Sequence, residues 1–180
     1  MRKEIFQEIE VPEGMDAEIK GDILKIKSKD AEIEKKFGMN KISFEKKGGK
    51  IILGNKKATK NEKKMINTIA AHIRNMIAGL NEKYEYKLRI CSSHFPITVE
   101  VNGNEVLIKN FLGEKVPRKT RILKNVEVNV EKDIIKVSSF NKENAGQTAA
   151  NLEKATVVRA RDRRVFQDGI FITSKAGRAI

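Results

Sequence analysis

The chain contains the same sequence pattern twice, with the copies 82–84 residues apart. Pro12 corresponds to Pro96 at an offset of 84 residues, and Gly21 corresponds to Gly103 at an offset of 82. Only two copies fit in 180 residues, which indicates a duplicated domain and excludes a solenoid. We therefore divide the chain into a first domain, residues 1–82, and a second, homologous domain, residues 83–180.

Each copy predicts a strand, two hairpins separated by a polar connection, and a closing helix. The strand and the two hairpin turns fall at residues 5–11, 21–22 and 48–49 in the first copy and at residues 87–91, 103–104 and 132–133 in the second. A sheet packed by one helix, present twice, predicts an α+β fold of two tandem duplicated domains, each with an antiparallel-rich sheet.

The two predicted helices differ in their signals. Thr59 and Glu62 form a capping-box pattern at the start of the first helix, and Gly79 lies where that helix is expected to end. The second helix, residues 141–156, contains Gly146 and a stripe of small residues, so we expect it to pack closely against its sheet. That stripe consists of Ala145, Ala149, Leu152 and Thr156.

A net charge of +13 favours a polyanionic partner, because charge of one sign repels itself in a compact fold. The possible partners are nucleic acid, an anionic membrane and an acidic protein. No apolar run of about 18 residues is present, so we expect no membrane span. The N-terminus lacks an apolar signal core, and the single cysteine, Cys91, excludes an internal disulfide. We therefore expect a cytoplasmic protein.

The arginines concentrate in the second half, with eight there and only Arg2 and Arg74 in the first. Because the planar guanidinium fits phosphate and stacks on bases, this half is the better candidate for nucleic-acid contact. Two stretches concentrate the positive charge, residues 113–121 and 159–171. The alternative interpretation is a solvated basic face without a partner.

Structured RNA is the expected nucleic acid, and DNA is not. The sequence has no recognition-helix motif, zinc-finger spacing or basic-zipper heptads. Aromatic residues make up 6% of the chain and tryptophan is absent, so a sheet that stacks single-stranded bases is also not expected.

No catalytic, metal or cofactor site is predicted. Cys91 and His94 offer two metal ligands, the only other histidine is His72, and a closed zinc site needs about four ligands. Cys91 as a nucleophile would need a base and an oxyanion hole. We expect a buried Cys91 and a structural or RNA-facing His94. Residues 48–50 form a hairpin turn, because the other residues of a phosphate loop are missing.

Three segments together resemble ribosomal protein six of the large subunit in its archaeal and eukaryotic form. They are residues 86–96 (YKLRICSSHFP), 108–115 (IKNFLGEK) and 163–171 (RRVFQDGIF). The Gly/Lys-rich, Tyr-containing tail of the bacterial members is missing, so bacterial contact residues cannot be transferred. The resemblance implies a structural protein that binds large-subunit ribosomal RNA (rRNA), mainly through the second domain and a basic C-terminal tail.

The resemblance also implies a location near the sarcin–ricin region and the base of the factor-recruiting stalk, in one copy per ribosome, beside other ribosomal proteins. We expect Phe166 in the core rather than as a stacking platform. The expected rRNA contacts are the basic residues Lys115, Arg118, Lys119, Arg121, Arg159, Arg161, Arg163, Arg164, Lys175 and Arg178. Two other functions stay open, namely an RNA-modifying or RNA-processing enzyme with a basic docking domain and a protein–protein adaptor.

Overall fold

Seven elements form the first half of the chain in a computed structural model that describes residues 3–29, 31–38 and 41–180. They are β1 (Lys3–Glu10), β2 (Asp16–Lys20), β3 (Ile23–Lys27), β4 (Glu32–Lys36), β5 (Ser43–Lys47), β6 (Lys50–Ala58) and α1 (Lys60–Asn81). They belong to a compact unit, Met1–Glu82, which we call unit 1. Alternation explains the strands: β3 buries Leu24 and Ile26 and turns its lysines away from the core.

The second compact unit, Lys83–Ile180, repeats this series and extends it; we call it unit 2. Its elements are β7 (Tyr84–Cys91), β8 (Thr98–Asn102), β9 (Glu105–Lys109), a 3₁₀ turn (Phe111–Gly113), β10 (Arg118–Arg121), β11 (Glu127–Glu131), β12 (Ile134–Ser139), α2 (Lys142–Ala155), β13 (Gly169–Lys175) and β14 (Arg178–Ala179). The core of unit 2 lies between its sheets and α2, around Leu88, Ile135 and Leu152.

The strand order confirms the duplication. Unit 1 has two three-stranded sheets, β1-β6-β5 and β2-β3-β4. Unit 2 has the equivalent β8-β9-β10 sheet and a five-stranded sheet in the order β11-β12-β7-β13-β14. Its first three strands repeat the β5-β6-β1 order, and all these pairings are antiparallel. The predicted α+β architecture of two tandem domains is therefore confirmed.

The expectation that a polar connection separates the two hairpins was incomplete, since each connection contains a strand. In unit 1 this strand is β4, which buries only Ile33 and pairs with β3. In unit 2 it is β10, an edge strand that pairs with β9. Such strands show little hydrophobic periodicity because backbone hydrogen bonds, more than side-chain burial, define them.

Helix α1 begins as predicted and ends later than predicted. Thr59 and Glu62 form the capping box. Gly79 does not end the helix: it lies on the buried face, and the last helical residue is Asn81. The C-cap of the helix is instead Glu82, which is extended and still donates its N–H to the Ala78 carbonyl. The glycine therefore lies within the helix on its buried face and does not end it.

Helix α2 packs closely against its sheet, as predicted. The stripe of Ala145, Ala149, Leu152 and Thr156 is buried. Gly146 faces Tyr86, and a Cβ at this position would lie 3.1 Å from the phenolic oxygen. Because that distance is tighter than ordinary van der Waals contact, the glycine sets how near the helix lies to β7.

The C-terminal region is not a simple basic tail. β13 pairs with β7 over most of its length, and Ile170 is completely buried. The outer edge of β13 is protected by α2, since the N–H of Ile170 donates to Thr156 Oγ1 at 2.9 Å and the N–H of Ile172 donates to Glu153 Oε1 at 3.4 Å. Residues 169–175 are therefore part of the sheet of unit 2.

Candidate RNA-binding surface

Four predicted contacts, Arg159, Arg161, Arg163 and Arg164, lie on residues 157–168, within the connection between α2 and β13. We call this segment the arginine loop. It contains no helix or strand, and all four arginine side chains are exposed. Val158 is buried at its beginning and Asp168 at its end. The loop is therefore fixed at both ends and presents its cations to solvent between them.

A turn inside the arginine loop is organised by Asp162. Its backbone carbonyl accepts hydrogen bonds from the N–H groups of Val165 and Phe166 at 3.2 and 2.9 Å. Its side chain accepts from the backbone N–H of Arg164 at 2.9 Å and pairs with the Arg164 guanidinium at 2.8 Å. These bonds with Arg164 hold the pKa of Asp162 below its usual value. The turn thus projects Arg163 and Arg164 outward from its tip.

The end of the loop is attached to the segment that follows β7, residues 92–97. The buried Asp168 carboxylate accepts the backbone N–H groups of Ser93 and His94 at 2.5 and 3.1 Å. It also accepts from Ser93 Oγ at 3.2 Å, and its Oδ2 lies 2.5 Å from His94 Nδ1. Although burial by itself raises the pKa of Asp168, the bonds from His94 and Ser93 outweigh it and lower the pKa to about 2.

Phe166 connects this attachment to the cations of the loop. The His94 ring stacks on the Phe166 ring, with centroids 4.8 Å apart and planes inclined by 17°. The Arg161 guanidinium carbon lies 4.8 Å from the same Phe166 centroid, which is cation–π distance. Phe166 is half-buried and also packs against the core of unit 2, the role that we expected for it.

Arg118 has a structural position within the protein, which differs from its predicted role in contacting RNA. Its guanidinium forms two hydrogen bonds with the Glu114 carboxylate, at 2.6 and 2.8 Å, and lowers the pKa of that group. It also donates to the Ala155 carbonyl at 2.8 Å, at the end of α2, and lies over the Phe111 ring. With its donors used in this way, Arg118 fixes the start of the arginine loop.

The other predicted contacts are exposed but not all close to the loop. Lys115 lies in the same connection as Arg118, and Lys119 and Arg121 are the two exposed side chains of β10. Lys175 and Arg178 are paired across the β13–β14 hairpin. Six residues of strand separate Lys175 from the end of the loop, or about 20 Å at 3.3 Å per residue. The structure therefore divides the predicted contacts into two separate groups.

The positive charges of the arginine loop are only partly neutralised. In unit 1, several sheet lysines pair with nearby carboxylates, such as Lys25 with Glu32 at 2.9 Å and Lys46 with Asp16 at 2.7 Å, whereas Lys56 and Lys57 on β6 form no ion pair with the described residues. In the loop, Arg164 pairs with Asp162. Its other three arginines form no ion pair with the residues that the structure describes. Their positive charge is therefore available to an external anion.

Ser93, His94 and Asp168 are the residue types of a hydrolytic triad, but their geometry does not match one. In a triad, the carboxylate and the nucleophile bind different nitrogens of the imidazole. Here Asp168 Oδ2 and Ser93 Oγ both lie near His94 Nδ1, at 2.5 and 3.4 Å. One nitrogen cannot receive the serine proton while it donates to the carboxylate. The cluster is therefore an anchor rather than a proton relay.

Cys91 is half-buried, so the expectation of a fully buried thiol was wrong. It lies at the last position of β7, opposite Gly169, where the missing side chain of the glycine leaves the sulfur less covered. His72 lies in unit 1, where its Nδ1 is 3.1 Å from Lys35 Nζ. Among the residues that the structure describes, no three His, Cys, Asp or Glu side chains cluster in a way that could hold a metal ion.

A model of the family described as ribosomal protein L6 matches the chain twice, at residues 11–83 and 95–169. The large ribosomal subunit protein uL6 of Methanocella arvoryzae is 45% identical over 177 residues, covering 98% of this chain and 100% of the relative. The chain belongs to the ribosomal protein L6 family. The corresponding proteins of Methanococcus vannielii and Methanosarcina mazei are 42% and 41% identical, covering 98% of this chain and 97% and 100% of theirs.

Membership of the L6 family confirms the resemblance, including its archaeal form, because these relatives are archaeal. The two matches also coincide with the two copies of the duplicated domain. The L6 family is a class of structural ribosomal proteins of the large subunit, and its place is the cytoplasmic ribosome, as predicted. Within the described residues, neither helix has the length and apolar character needed to cross a membrane.

The sequence analysis did not identify Ser93 and Asp168 as functional residues. Both lie inside the segments that carried the family resemblance, residues 86–96 and 163–171. Their presence in these two segments was the only sequence feature that pointed to them. The sequence did not show that the two segments contact each other.

Proposed function

We propose that the chain is a structural constituent of the large ribosomal subunit that binds large-subunit rRNA through the arginine loop and so supports translation. The observation that carries this proposal is a set of four exposed arginines on a loop fixed at both ends. A fixed loop loses little conformational freedom on binding, so more of the phosphate attraction contributes to affinity. Charge on a mobile tail would lack this advantage.

Arg159, Arg161, Arg163 and Arg164 are the proposed main contacts, and Lys115, Lys119 and Arg121 are proposed to add contacts from the neighbouring connection and β10. These side chains would bind phosphate and sugar groups, which fix the position of the protein without reading a base sequence. Lys175 and Arg178 form a second group about 20 Å away along β13 and would contact a different part of the RNA. Arg118 would act indirectly, by holding the loop.

The family resemblance supports the finer location, near the sarcin–ricin region and the stalk base, with one copy per ribosome and no role in binding DNA. Neighbouring ribosomal proteins are further proposed partners. Val116 and Val165, which are 78% and 60% exposed, lie within the two basic stretches and offer apolar contact to such a neighbour. An RNA-modifying enzyme is the less supported alternative, because the Ser93, His94 and Asp168 geometry lacks a proton relay.

The test compares two quadruple variants in binding to a transcript of the sarcin–ricin region of large-subunit rRNA, measured over a range of salt concentrations. The first variant changes Arg159, Arg161, Arg163 and Arg164 to alanine. The control changes Lys56, Lys57, Lys63 and Lys64 to alanine, which removes the same charge from unit 1. These lysines are exposed and form no ion pair with the described residues, whereas Lys46 and Lys47 are paired.

Each lost phosphate contact lowers the slope of log affinity against log salt by about 0.7–0.9. The arginine variant should therefore bind much more weakly, and its slope should be lower by roughly three contacts' worth, since Arg164 is partly neutralised by Asp162. The lysine variant should change both quantities less. Equal changes in both variants would mean that only net charge matters, and absent binding by the unaltered protein would refute the proposal.

The enzyme alternative has its own test. After sedimentation of a cell extract through sucrose, the protein should follow the large subunit. A protein that stays mostly near the top of the gradient would favour the enzyme.

A further inference from the structure

Within the arginine loop, the direction of one cation depends on a residue far away in the sequence. Arg161 lies on the Phe166 ring, and Phe166 stacks on His94. His94 belongs to the segment after β7 and is separated from Asp168 by 74 residues. The order of contacts is thus Asp168, His94, Phe166 and Arg161.

We propose that His94 is a positioning residue for RNA binding, which holds the Phe166 ring, and through it the Arg161 guanidinium, in the orientation that meets a phosphate. This inference rests on the proposed function. His94 is not proposed to contact the RNA itself.

Geometry gives His94 little freedom to move. Its backbone N–H and its ring nitrogen both bond to the one Asp168 carboxylate, at 3.1 and 2.5 Å. Asp168 is 2% exposed, so the anchor is protected from water. Because the carboxylate can only accept, Nδ1 must carry the proton in this contact. The ring plane is therefore fixed, and it offers Phe166 a flat surface at stacking distance.

A comparison with Arg163 shows why the contact with Phe166 matters for the orientation of Arg161. Arg163 lies within the Asp162 turn, whose backbone hydrogen bonds fix the point at which its side chain leaves the chain. Arg161 precedes the turn, next to Ala160, which has a positive φ of 55°. No backbone pattern fixes its side chain, and Glu114 attracts it from the neighbouring connection. The Phe166 ring is the contact that competes with Glu114 for this guanidinium.

The experiment is a double-mutant cycle on transcript binding, with His94→Ala, Arg161→Ala and the double variant. His94→Ala should weaken binding by about tenfold in the unaltered protein, within the range seen for residues that act together. In the Arg161→Ala protein, the same change should weaken binding by less than about twofold, because the cation that His94 positions is gone. Equal losses in both backgrounds would overturn the proposal.

A second variant separates positioning from general stability. His94→Phe keeps a flat ring against Phe166 and loses only the ring hydrogen bond to Asp168, because the backbone N–H at position 94 still donates to that carboxylate. Its unfolding midpoint in urea should fall because the ring hydrogen bond is lost, while its affinity for the transcript should stay within about threefold of the unaltered protein. If the loss of affinity is proportional to the fall in the unfolding midpoint in both variants, His94 has only a structural role.

The two proposals can fail separately. If the unaltered protein does not bind the transcript, or if the arginine and lysine quadruple variants behave alike, the proposed function fails. If those results are as expected and the double-mutant cycle is additive, only the inference about His94 fails.

Discussion

Replacing Asp168 with asparagine tests whether the buried carboxylate holds unit 2 together. The pKa of Asp168 is lowered from 3.8 to about 2 in the folded protein. One pKa unit corresponds to about 1.4 kcal/mol, so the ionised carboxylate contributes roughly 2 kcal/mol to the free energy of unfolding at pH 7. Asp168→Asn keeps the shape of the side chain and removes this contribution. We expect the variant to be less stable by roughly 2 kcal/mol at pH 7.

The difference should depend on pH in a defined direction. A carboxyl group whose folded pKa lies below 3.8 stabilises the fold above that pH, and this stabilisation is lost as the pH falls toward about 2. The unaltered protein should therefore lose roughly 2 kcal/mol more than the variant between pH 5 and pH 2. The two free energies of unfolding should converge at the acid end.

Urea unfolding at several pH values, monitored by tyrosine fluorescence, measures the free energy of unfolding of unit 2. The chain has no tryptophan, and its two tyrosines, Tyr84 and Tyr86, both lie in β7. Asp133→Asn is the matched control, because Asp133 is exposed in the same unit and its side chain forms no ion pair with the described residues. A difference between Asp168→Asn and the unaltered protein that stays constant from pH 7 to pH 2 would refute the assignment to the carboxylate charge.

Substitutions at three further positions test the packing by urea unfolding followed by circular dichroism. Thr156→Val should lower the free energy of unfolding by about 1–3 kcal/mol, because it leaves the buried N–H of Ile170 without an acceptor. Thr156→Ser keeps a hydroxyl and should lower the free energy of unfolding less. Equal losses in the two variants would contradict the hydrogen-bond explanation. Gly146→Leu should cost about 1–3 kcal/mol by forcing α2 away from Tyr86, and an unchanged midpoint would contradict the close packing. Leu24→Ala should cost about 2–5 kcal/mol in the core of unit 1, whereas a loss below about 1 kcal/mol would mean that the site collapses around the smaller side chain.

The hairpins and helices could be predicted because their signals are local. Thr59 and Glu62 are three residues apart, and the capping box they form needs no distant partner. The same holds for β3, where alternation alone separates the buried from the exposed face. β4 and β10 were missed since they depend on hydrogen bonds to another strand, which a pattern of side chains does not record.

Gly79 shows that one residue type permits two interpretations. A glycine near the end of a helix is often a stop signal, but it equally allows close approach on a buried face. The following residues decide between them. Asn81 is still helical, so the stop interpretation fails although the spacing favoured it.

The sequence predicted the positive charge of the candidate site but not the contacts that hold the arginine loop in place. Clustering of arginines in residues 159–164 is visible in the sequence. The role of Arg118 was not visible, because its partners include the Ala155 carbonyl, 37 residues away. The contact between Asp168 and His94 likewise exists only because β13 returns to β7.

That return is where the two copies of the duplicated domain diverge. In unit 1, β1 is the edge strand of its described sheet, whereas the equivalent β7 is paired on both sides, by β12 and β13. The β13 register places Gly169 opposite Cys91, so Asp168 comes next to Ser93 at the end of the sheet. A slip of one residue would turn the β13 side chains to the other face and would bury Phe171 in place of Ile170. The same pairing thus fixes the core of unit 2 and the end of the arginine loop, which supports the proposal that the RNA contacts come from this copy of the duplicated domain.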